Sequence, residues 1–423
     1  MEDWNQDRLI DLLEVLIDYR GKTPRKVNSG IPLITAKIVK NGRIDTPTEF
    51  LPIEDYENWM VRGFPKIDDV LLTTEAPLGE VAQVDDEKIA LAQRIVCLRG
   101  KKGILDNTFL KYYFLSPKGR LRLKAKETGT TVTGIKQSEL KEVLIDYPPY
   151  EIQLQIAKVL SSIDSKIELN RRINGNLEQQ AQALFKAWFV DFEPFKDGKF
   201  VDSELGRIPE GWKVGRFNNI IESTLSGDWG KERQEGNYIK KVFCLRGADI
   251  PDVKTGNIGY MPIRFILEKN FATKALTAGN LVIEISGGSP TQSTGRICRI
   301  SHELLTKYNN SIVCTNFCKA IRPMVGYSSF MYYMWEKLYN EGVMFSYENG
   351  TTGIKNLDIN GLTQKEPIII PPIEVALNFE KYVDIYYNKI QKNGIESEQL
   401  SHLRDTLLPR LMSGELNVNT ITE

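Results

Sequence analysis

The sequence predicts an α+β chain of two tandem globular α/β domains. Two long helices, packed antiparallel as a coiled-coil stalk, separate them, and the whole forms a pseudo-twofold internal repeat. Three observations predict this. Short motifs recur in one order at nearly one offset; a double proline follows the mixed segment of each copy; and each double proline opens a long helical pattern with a seven-residue apolar period.

The repeat is read from matching stretches. Thr133-Gly134-Ile135-Lys136 recurs as Thr352-Gly353-Ile354-Lys355, 219 residues on, and each copy overlaps or follows a Gly-Thr-Thr. Pro148-Pro149 recurs as Pro371-Pro372, and Gln93 to Arg99 (QRIVCLR) aligns with Asn316 to Arg322 (NFCKAIR), both at an offset of 223. Tyr112-Tyr113 is echoed by Tyr332-Tyr333.

Within each copy, Leu33-Ile34, Val70 to Leu72, Ile95-Val96, Leu281 to Ile285 and Ile368 to Ile370 read as strands between Gly, Pro, Asn and Asp clusters. Proline disfavours helix just before it and tolerates the first helical turn, so each proline pair marks a helix start. The first helix carries Ile156, Ile163, Asn170, Leu177 and Leu184 at seven-residue steps; the second carries Phe379, Tyr386, Asn393, Leu400 and Leu407. Both seams have an asparagine at the same step, a residue that fixes register at some cost in stability. Gly394 is expected to loosen the second helix. The boundaries are a first domain over 1–147, a helix over 148–195, a second domain over 196–370 with a linker at 196–210, a helix over 371–416, and a tail over 417–423.

Composition narrows the function. Fifty-five basic residues balance 55 acidic ones in 423, which argues against indiscriminate nucleic-acid binding but leaves room for local basic patches. No apolar run approaches a membrane span, no signal-peptide core follows the N-terminus, and five cysteines are too few for a disulfide scaffold. A cytoplasmic location is the expectation.

Three stretches resemble the specificity subunits of Type I restriction–modification enzymes. They are Pro148 to Ile173 running into Ala183 to Phe195 (ALFKAWFVDFEPF), Glu204 to Val214 (ELGRIPEGWKV), and Pro371 to Val375 leading to Leu407 to Leu416 (LLPRLMSGEL). One departure is Glu374-Val375-Ala376-Leu377, where the first copy has Glu-Ile-Gln-Leu. The resemblance implies two target-recognition domains, each reading half of a split double-stranded DNA site. It implies helices that set the gap and bind two methyltransferase subunits, with motor–nuclease restriction subunits joining for cleavage. The chain itself would be non-catalytic and hold no cofactor; S-adenosylmethionine, ATP and Mg2+ would belong to the partners, which together form a site-specific deoxyribonuclease and adenine methyltransferase. The alternative is a two-domain protein adaptor on a coiled-coil stalk without DNA recognition.

Phosphate contacts need Lys and Arg, and base readout needs polar donors on exposed loops. The candidates are Arg20, Lys22, Arg25 and Lys26 in a Gly- and Pro-broken loop; Lys118, Arg120 and Arg122 in a stretch without acids; and Thr131 and Lys136 in GTTVTGIK. In the second copy they are Lys231 and Arg233, then Ser289, Thr291 and Arg296 in a small polar loop, and Lys355 in GTTGIK. Tyr112, Tyr113, Tyr332, Tyr333 and Trp335 are expected in helical cores rather than stacked on bases.

Asp146-Tyr147-Pro148-Pro149-Tyr150 is similar to the adenine-methyltransferase motif, but Tyr147 replaces its polar first residue and no matching glycine-rich cofactor turn accompanies it. No GxxxxGK[ST] phosphate loop occurs. Cys298-x3-His302 and Cys314-x3-Cys318 resemble zinc-ligand spacing. The latter pair lies in a stretch expected as one strand, where residues four apart are about 13 Å apart and cannot share a metal. No metal or catalytic residue is therefore expected.

Overall fold

The computed structural model describes residues 4–21, 23–129, 133–257, 259–289, 291–350 and 354–418. The chain divides into two compact units, Met1–Lys166 with Leu400–Glu423 (unit 1) and Ile167–Gln399 (unit 2).

Unit 1 is built on an antiparallel sheet of β1 (Leu13–Asp18), β2 (Val70–Thr74), β3 (Leu78–Gln83) and β4 (Ile95–Gly100), in the order β1-β4-β2-β3. Successive side chains in a strand point to opposite faces, and the two faces meet different cores. Val70, Leu72, Val96 and Leu98 pack with Phe109 and Tyr113 of α1 (Asn107–Leu115) and with Ile156 and Leu160 at the start of α2 (Tyr150–Phe189). Leu71, Ile95 and Cys97 turn the other way, onto Leu33, Ile34, Ala90 and Leu91, where Leu33-Ile34 pairs in parallel with Ala90-Leu91. α1 starts where the Asp106 side chain accepts from the Phe109 amide at 2.8 Å. α2 starts directly after Pro148-Pro149.

Unit 2 has an antiparallel sheet of β5 (Ile221–Ser226), β6 (Leu281–Glu284), β7 (Ile297–Arg299) and β8 (Cys318–Pro323), in the order β5-β8-β6-β7. By position along the chain this is the strand order of unit 1, first-fourth-second-third. Here too a parallel pair, Phe243–Leu245 with Ile312–Cys314, lies in a separate sheet. Leu281, Ile283 and Ile321 pack with Phe330 and Trp335 of α3 (Ser328–Asn340), with Phe185 and Phe189 of α2, and with Phe379 of α4 (Ile373–Met412).

The expected seam is followed only in part. Ile156, Ile163 and Asn170 are buried, but Leu177 and Leu184 are half-buried, and the inner positions pass to Asn174, Ala181, Phe185 and Phe189. A straight helix drifts by about 20° per heptad against a strict seven-residue step, so Ile163, Asn174 and Phe185 follow one another at eleven-residue intervals instead. In α4, Phe379 and Asn393 are buried while Tyr386, Leu400 and Leu407 are half-buried; Val383, Ile390, Leu408 and Leu411 take the inner places.

The two asparagines meet directly, and a third joins them through Asn393. Asn170 donates to Glu396 Oε2 at 2.8 Å and to the Asn393 carbonyl at 3.4 Å, while the Asn393 amide donates to Asn174 Oδ1 at 2.9 Å. Gly394 does not loosen its helix; it admits a neighbour. A Cβ there would lie 2.3 Å from the backbone carbon of Gly256, so the turn after Ile250–Lys254 packs backbone to backbone on α4.

The stretch expected as one strand through Cys314 and Cys318 is two strands. The Cys318 amide donates to the Thr315 carbonyl at 2.9 Å, closing a turn that brings Cys314 Sγ within 3.8 Å of the Cys318 carbonyl. The extended-strand spacing therefore does not separate these cysteines. Both lie with Cys298 in one apolar cluster, where burial pushes the Cys314 and Cys318 thiols up to about 12. They act there as small neutral hydrophobes. Among the described residues no group of three or more His, Cys, Asp or Glu could hold a metal ion, and no helix is long and apolar enough to cross a membrane.

Candidate nucleic-acid interface

Antiparallel pairing brings distant segments to one end of each sheet. In unit 1, Asp18 at the end of β1 pairs with Val96 near the start of β4, Ile95 pairs with Thr73 near the end of β2, and Thr74 pairs with Leu78 across the hairpin. The loop after β1, the β2–β3 hairpin and the turn before β4 therefore share that end. The Thr-Gly-Ile-Lys segment joins them. Gly134 bridges Glu75, the Ile135 amide donates to the Thr74 carbonyl at 2.9 Å, and the Ile135 carbonyl accepts from Arg20 Nη1 at 2.7 Å. Gly134 is required there, because a Cβ would lie 2.9 Å from the Thr74 carbonyl oxygen.

Unit 2 repeats the convergence. Ser226 pairs with Lys319, Glu284 with Cys318, and Ile283 with Ile297. The β6–β7 connection, including Ser286 to Ser289 and Thr291 to Arg296, thus lies beside the loop after β5 and the turn before β8. Ser286 and Gly287 pair with Asn356 and Lys355.

The cations read from the sequence take different places. Arg20 is half-buried and bound by Asp18 at 2.6 Å. Arg25 is exposed and paired with Glu54 at 2.6 Å and Asp55 at 3.0 Å; Lys26 is paired with Glu49 at 2.8 Å. Lys136 is exposed, with no ion pair among the described residues. Lys22 and Thr131 lie outside the described residues. Lys118 and Arg122 both engage the buried Asp146 carboxylate at 3.2 Å, which also accepts from Gln6. Burial pushes that carboxyl up, but Gln6, Lys118 and Arg122 together hold it below the usual range. This spends the basic stretch internally, and it also occupies the Asp of the methyltransferase-like motif. Arg120 is exposed and lines a cleft of about 510 Å3 with Lys124, Thr133, Pro77 and Glu127, so it lies near the Thr-Gly-Ile-Lys segment.

In unit 2, Arg233 is exposed without an ion pair among the described residues, and Lys231 is exposed with Glu235 at 3.9 Å. Ser289 Oγ accepts from the Gln292 amide at 3.0 Å and the Thr291 amide at 3.3 Å, curling the loop on itself. Arg296 is clamped on Glu284 at 2.6 and 2.8 Å, and Lys355 on Glu348 at 2.7 Å. Burial works against the Glu348 carboxylate, but Lys355 and Thr294 keep it below its ordinary value.

Tyr112, Tyr113, Tyr332, Tyr333 and Trp335 are all buried. Tyr112 donates to Asp164 at 2.6 Å, and Tyr113 to Asp146 at 3.1 Å.

Four residues at the two sheet ends were not singled out from sequence: Glu75, Arg94, Phe317 and Asn356. Arg94 and Phe317 occupy the same place in the aligned QRIVCLR and NFCKAIR stretches. The Arg94 carbonyl accepts from Thr74 at 2.9 Å, and the Phe317 carbonyl from Ile285 at 2.9 Å, each just beyond a central strand.

The comparisons with known proteins fit this architecture. The MjaIX Type I restriction enzyme specificity subunit of Methanocaldococcus jannaschii is 30% identical over 99% of this chain and 95% of its own length. The chain belongs to the family of Type I restriction enzyme specificity subunits. A family model described as the Type I restriction modification DNA specificity domain matches residues 1–179. The HindI specificity subunit of Haemophilus influenzae is 25% identical over 70% of this chain and 74% of its own length. In fold, this specificity subunit is similar to the crystallised S subunit of a Type I system from M. genitalium, with a TM-score of 0.57 over 97% of this chain and 96% of that one at 16% identity.

Proposed function

We propose that each unit of this specificity subunit reads one half of a split, asymmetric double-stranded DNA site. The single observation that carries the reading is the convergence in each unit of a loop with cations and a central hairpin on one sheet end, joined there by Thr133 to Lys136 in unit 1 and by Lys355 in unit 2. Glycines there let backbone approach a ligand closely, and Arg25, Lys26, Lys136, Lys231 and Arg233 supply charge for phosphates. Pairing with Glu49, Glu54 and Asp55 does not exclude Lys26 and Arg25 from this role, because exposed ion pairs are worth little and exchange readily.

In this reading α2 and α4 form an antiparallel stalk within a duplicated chain, and their length sets the gap between half-sites. The matching strand orders and the cross-helix contacts in each unit support it. Two methyltransferase subunits and the restriction subunits assemble on this frame. The chain does no chemistry, and S-adenosylmethionine, ATP and Mg2+ act in those partners.

The test is a DNA shift assay with the partner methyltransferase, joined to methyl-transfer assays on the chain alone. The complex should bind and methylate a bipartite site, and the chain alone should methylate nothing. An assembled complex without sequence preference would favour a protein adaptor instead.

A further inference from the structure

The turn before the fourth sheet strand occupies the same position in both units but presents opposite chemistry. In unit 1 the backbone of Arg94 is pinned by the Thr74 amide at 2.9 Å. Its side chain is 54% exposed, and its Nε lies 2.7 Å from Oε1 of Glu75, itself 40% exposed. That pairing leaves the two terminal guanidinium nitrogens to donate to a ligand. In unit 2 the carbonyl of Phe317 accepts from the amides of Ile285 and Ser286, at 2.9 and 3.2 Å. On its other side, Gly227 packs so closely on the Thr315 carbonyl that no Cβ would fit. Phe317 is nevertheless 58% exposed. Beside it Ser286 pairs with Asn356, an exposed residue whose Oδ1 accepts from Ser286 Oγ at 2.5 Å.

A large apolar ring pinned at its backbone and left in solvent fills no core. An arginine held by a glutamate at the aligned position is likewise presented rather than buried. The two pairs match the two classes of base pair in the major groove. Arginine donates to guanine O6 and N7 while glutamate accepts from cytosine N4; asparagine bonds adenine N6 and N7 while an apolar ring contacts the thymine methyl.

We propose that this turn is a specificity position in each unit: Arg94 with Glu75 reads a G·C pair in one half-site, and Phe317 with Asn356 reads an A·T pair in the other. This rests on the reading of the units as half-site readers and names the bases read at one place in each. Both positions are at the surface, so the substitutions leave the cores untouched.

The experiment is methylome sequencing of cells carrying the assembled complex with wild-type chain, Arg94→Ala, Phe317→Ala, or Phe317→Arg combined with Asn356→Glu. Arg94→Ala should relax one G·C position in one half-site, lowering discrimination there by about tenfold or more. Phe317→Ala should relax one A·T position in the other half-site, and the double variant should shift that position toward G·C. The other half-site and the spacer should stay as in the wild type. Phe317→Leu takes the place of the alanine variant if the latter does not co-purify with the methyltransferase, and it should keep the A·T preference.

If the wild-type complex modifies no bipartite site, the half-site reading itself fails. If the wild type does so and the variants keep every position of both half-sites, only this assignment is overturned. Loss of methylation at all sites by an assembled variant complex would also overturn it, because the residue would then supply affinity without specificity.

Discussion

In unit 1 the start of α2 meets the end of α4 through aliphatic side chains, with Ile156 and Leu160 in one cluster with Leu408 and Leu411, and through the ion pair of Asp164 with Arg404 at 2.8 Å. In unit 2 the end of α2 meets the start of α4 through rings, Phe185 at 6.0 Å and Phe189 at 4.9 Å from Phe379, and through the amides of Asn170, Asn174 and Asn393. Sheets of one strand order thus rest on the same pair of helices by different chemistry. Apolar burial is non-directional and fixes little about register. The buried amides are directional and costly to leave unpaired, so register is set most strictly in unit 2.

The two units should differ most at Phe379, fully buried among the rings of Phe185, Trp188, Phe189 and Tyr333. Phe379→Ala should cost unit 2 about 3–5 kcal/mol. Hydrogen exchange should report it as lost protection in α3 and β6, with α1 and β2 little changed. Equal loss in both units would show that they do not unfold separately.

Asp164→Asn should cost unit 1 less, about 1–3 kcal/mol, because it weakens charged hydrogen bonds from Tyr112 and Arg404 without opening a cavity. Protection in α1 should fall while that in α3 is kept. A loss as large as that of Phe379→Ala would mean the ion pair, not the aliphatic contact, holds unit 1 to its helices.

The smallest effect is a difference in sign with pH. Asp146 in unit 1 titrates below the usual carboxylate range, since Gln6, Lys118 and Arg122 outweigh the opposing effect of burial. A depressed pKa gives stability that is present above the unfolded value and lost as pH falls through the folded one, so unit 1 should weaken on acidification. Glu178 in unit 2 titrates above its ordinary value, chiefly through burial. Its unfolded form ionises first as pH rises, so the penalty is absent in acid and grows as pH passes the ordinary value; acidification therefore relieves Glu178 in unit 2 while it weakens unit 1 at Asp146, and Glu348, held low in unit 2, offsets part of that difference. The contrast should shrink in Asp146→Asn and Glu178→Gln chains, followed by hydrogen exchange at matched pH.

Much of this was legible in the sequence, and the failures have physical reasons. The strands at Val70 to Leu72 and Leu281 to Ile285 were visible because short apolar runs sat between turn residues. The Thr133 to Lys136 segment marked a place where the sheet end of unit 1 is closed, while Thr352 and Gly353 of its repeat lie outside the described residues; the proline pairs marked both helix starts. Charge was harder to read. Lys118 and Arg122 stand in a stretch without acids, yet their partner Asp146 is 24 residues beyond Arg122 and reaches them only through the fold. Arg94 and Phe317 were overlooked for the opposite reason: an arginine before an apolar run and a phenylalanine inside one look like parts of a strand, and only the pairing shows them at its edge. The seven-residue count failed after Asn170 because packing on a straight helix follows 3.6 residues per turn.

Two readers held at a spacing set by α2 and α4 should respond when one heptad is inserted into each helix where the units divide, after Lys166 and after Gln399, and the methylated sites of the assembled complex are sequenced. Each helix lengthens by about 10 Å, and a base-pair step rises about 3.4 Å. The half-sites should stay unchanged while the spacer grows by up to about three base pairs. An active complex with an unchanged spacer, or with altered half-sites, would contradict a spacing set by these helices.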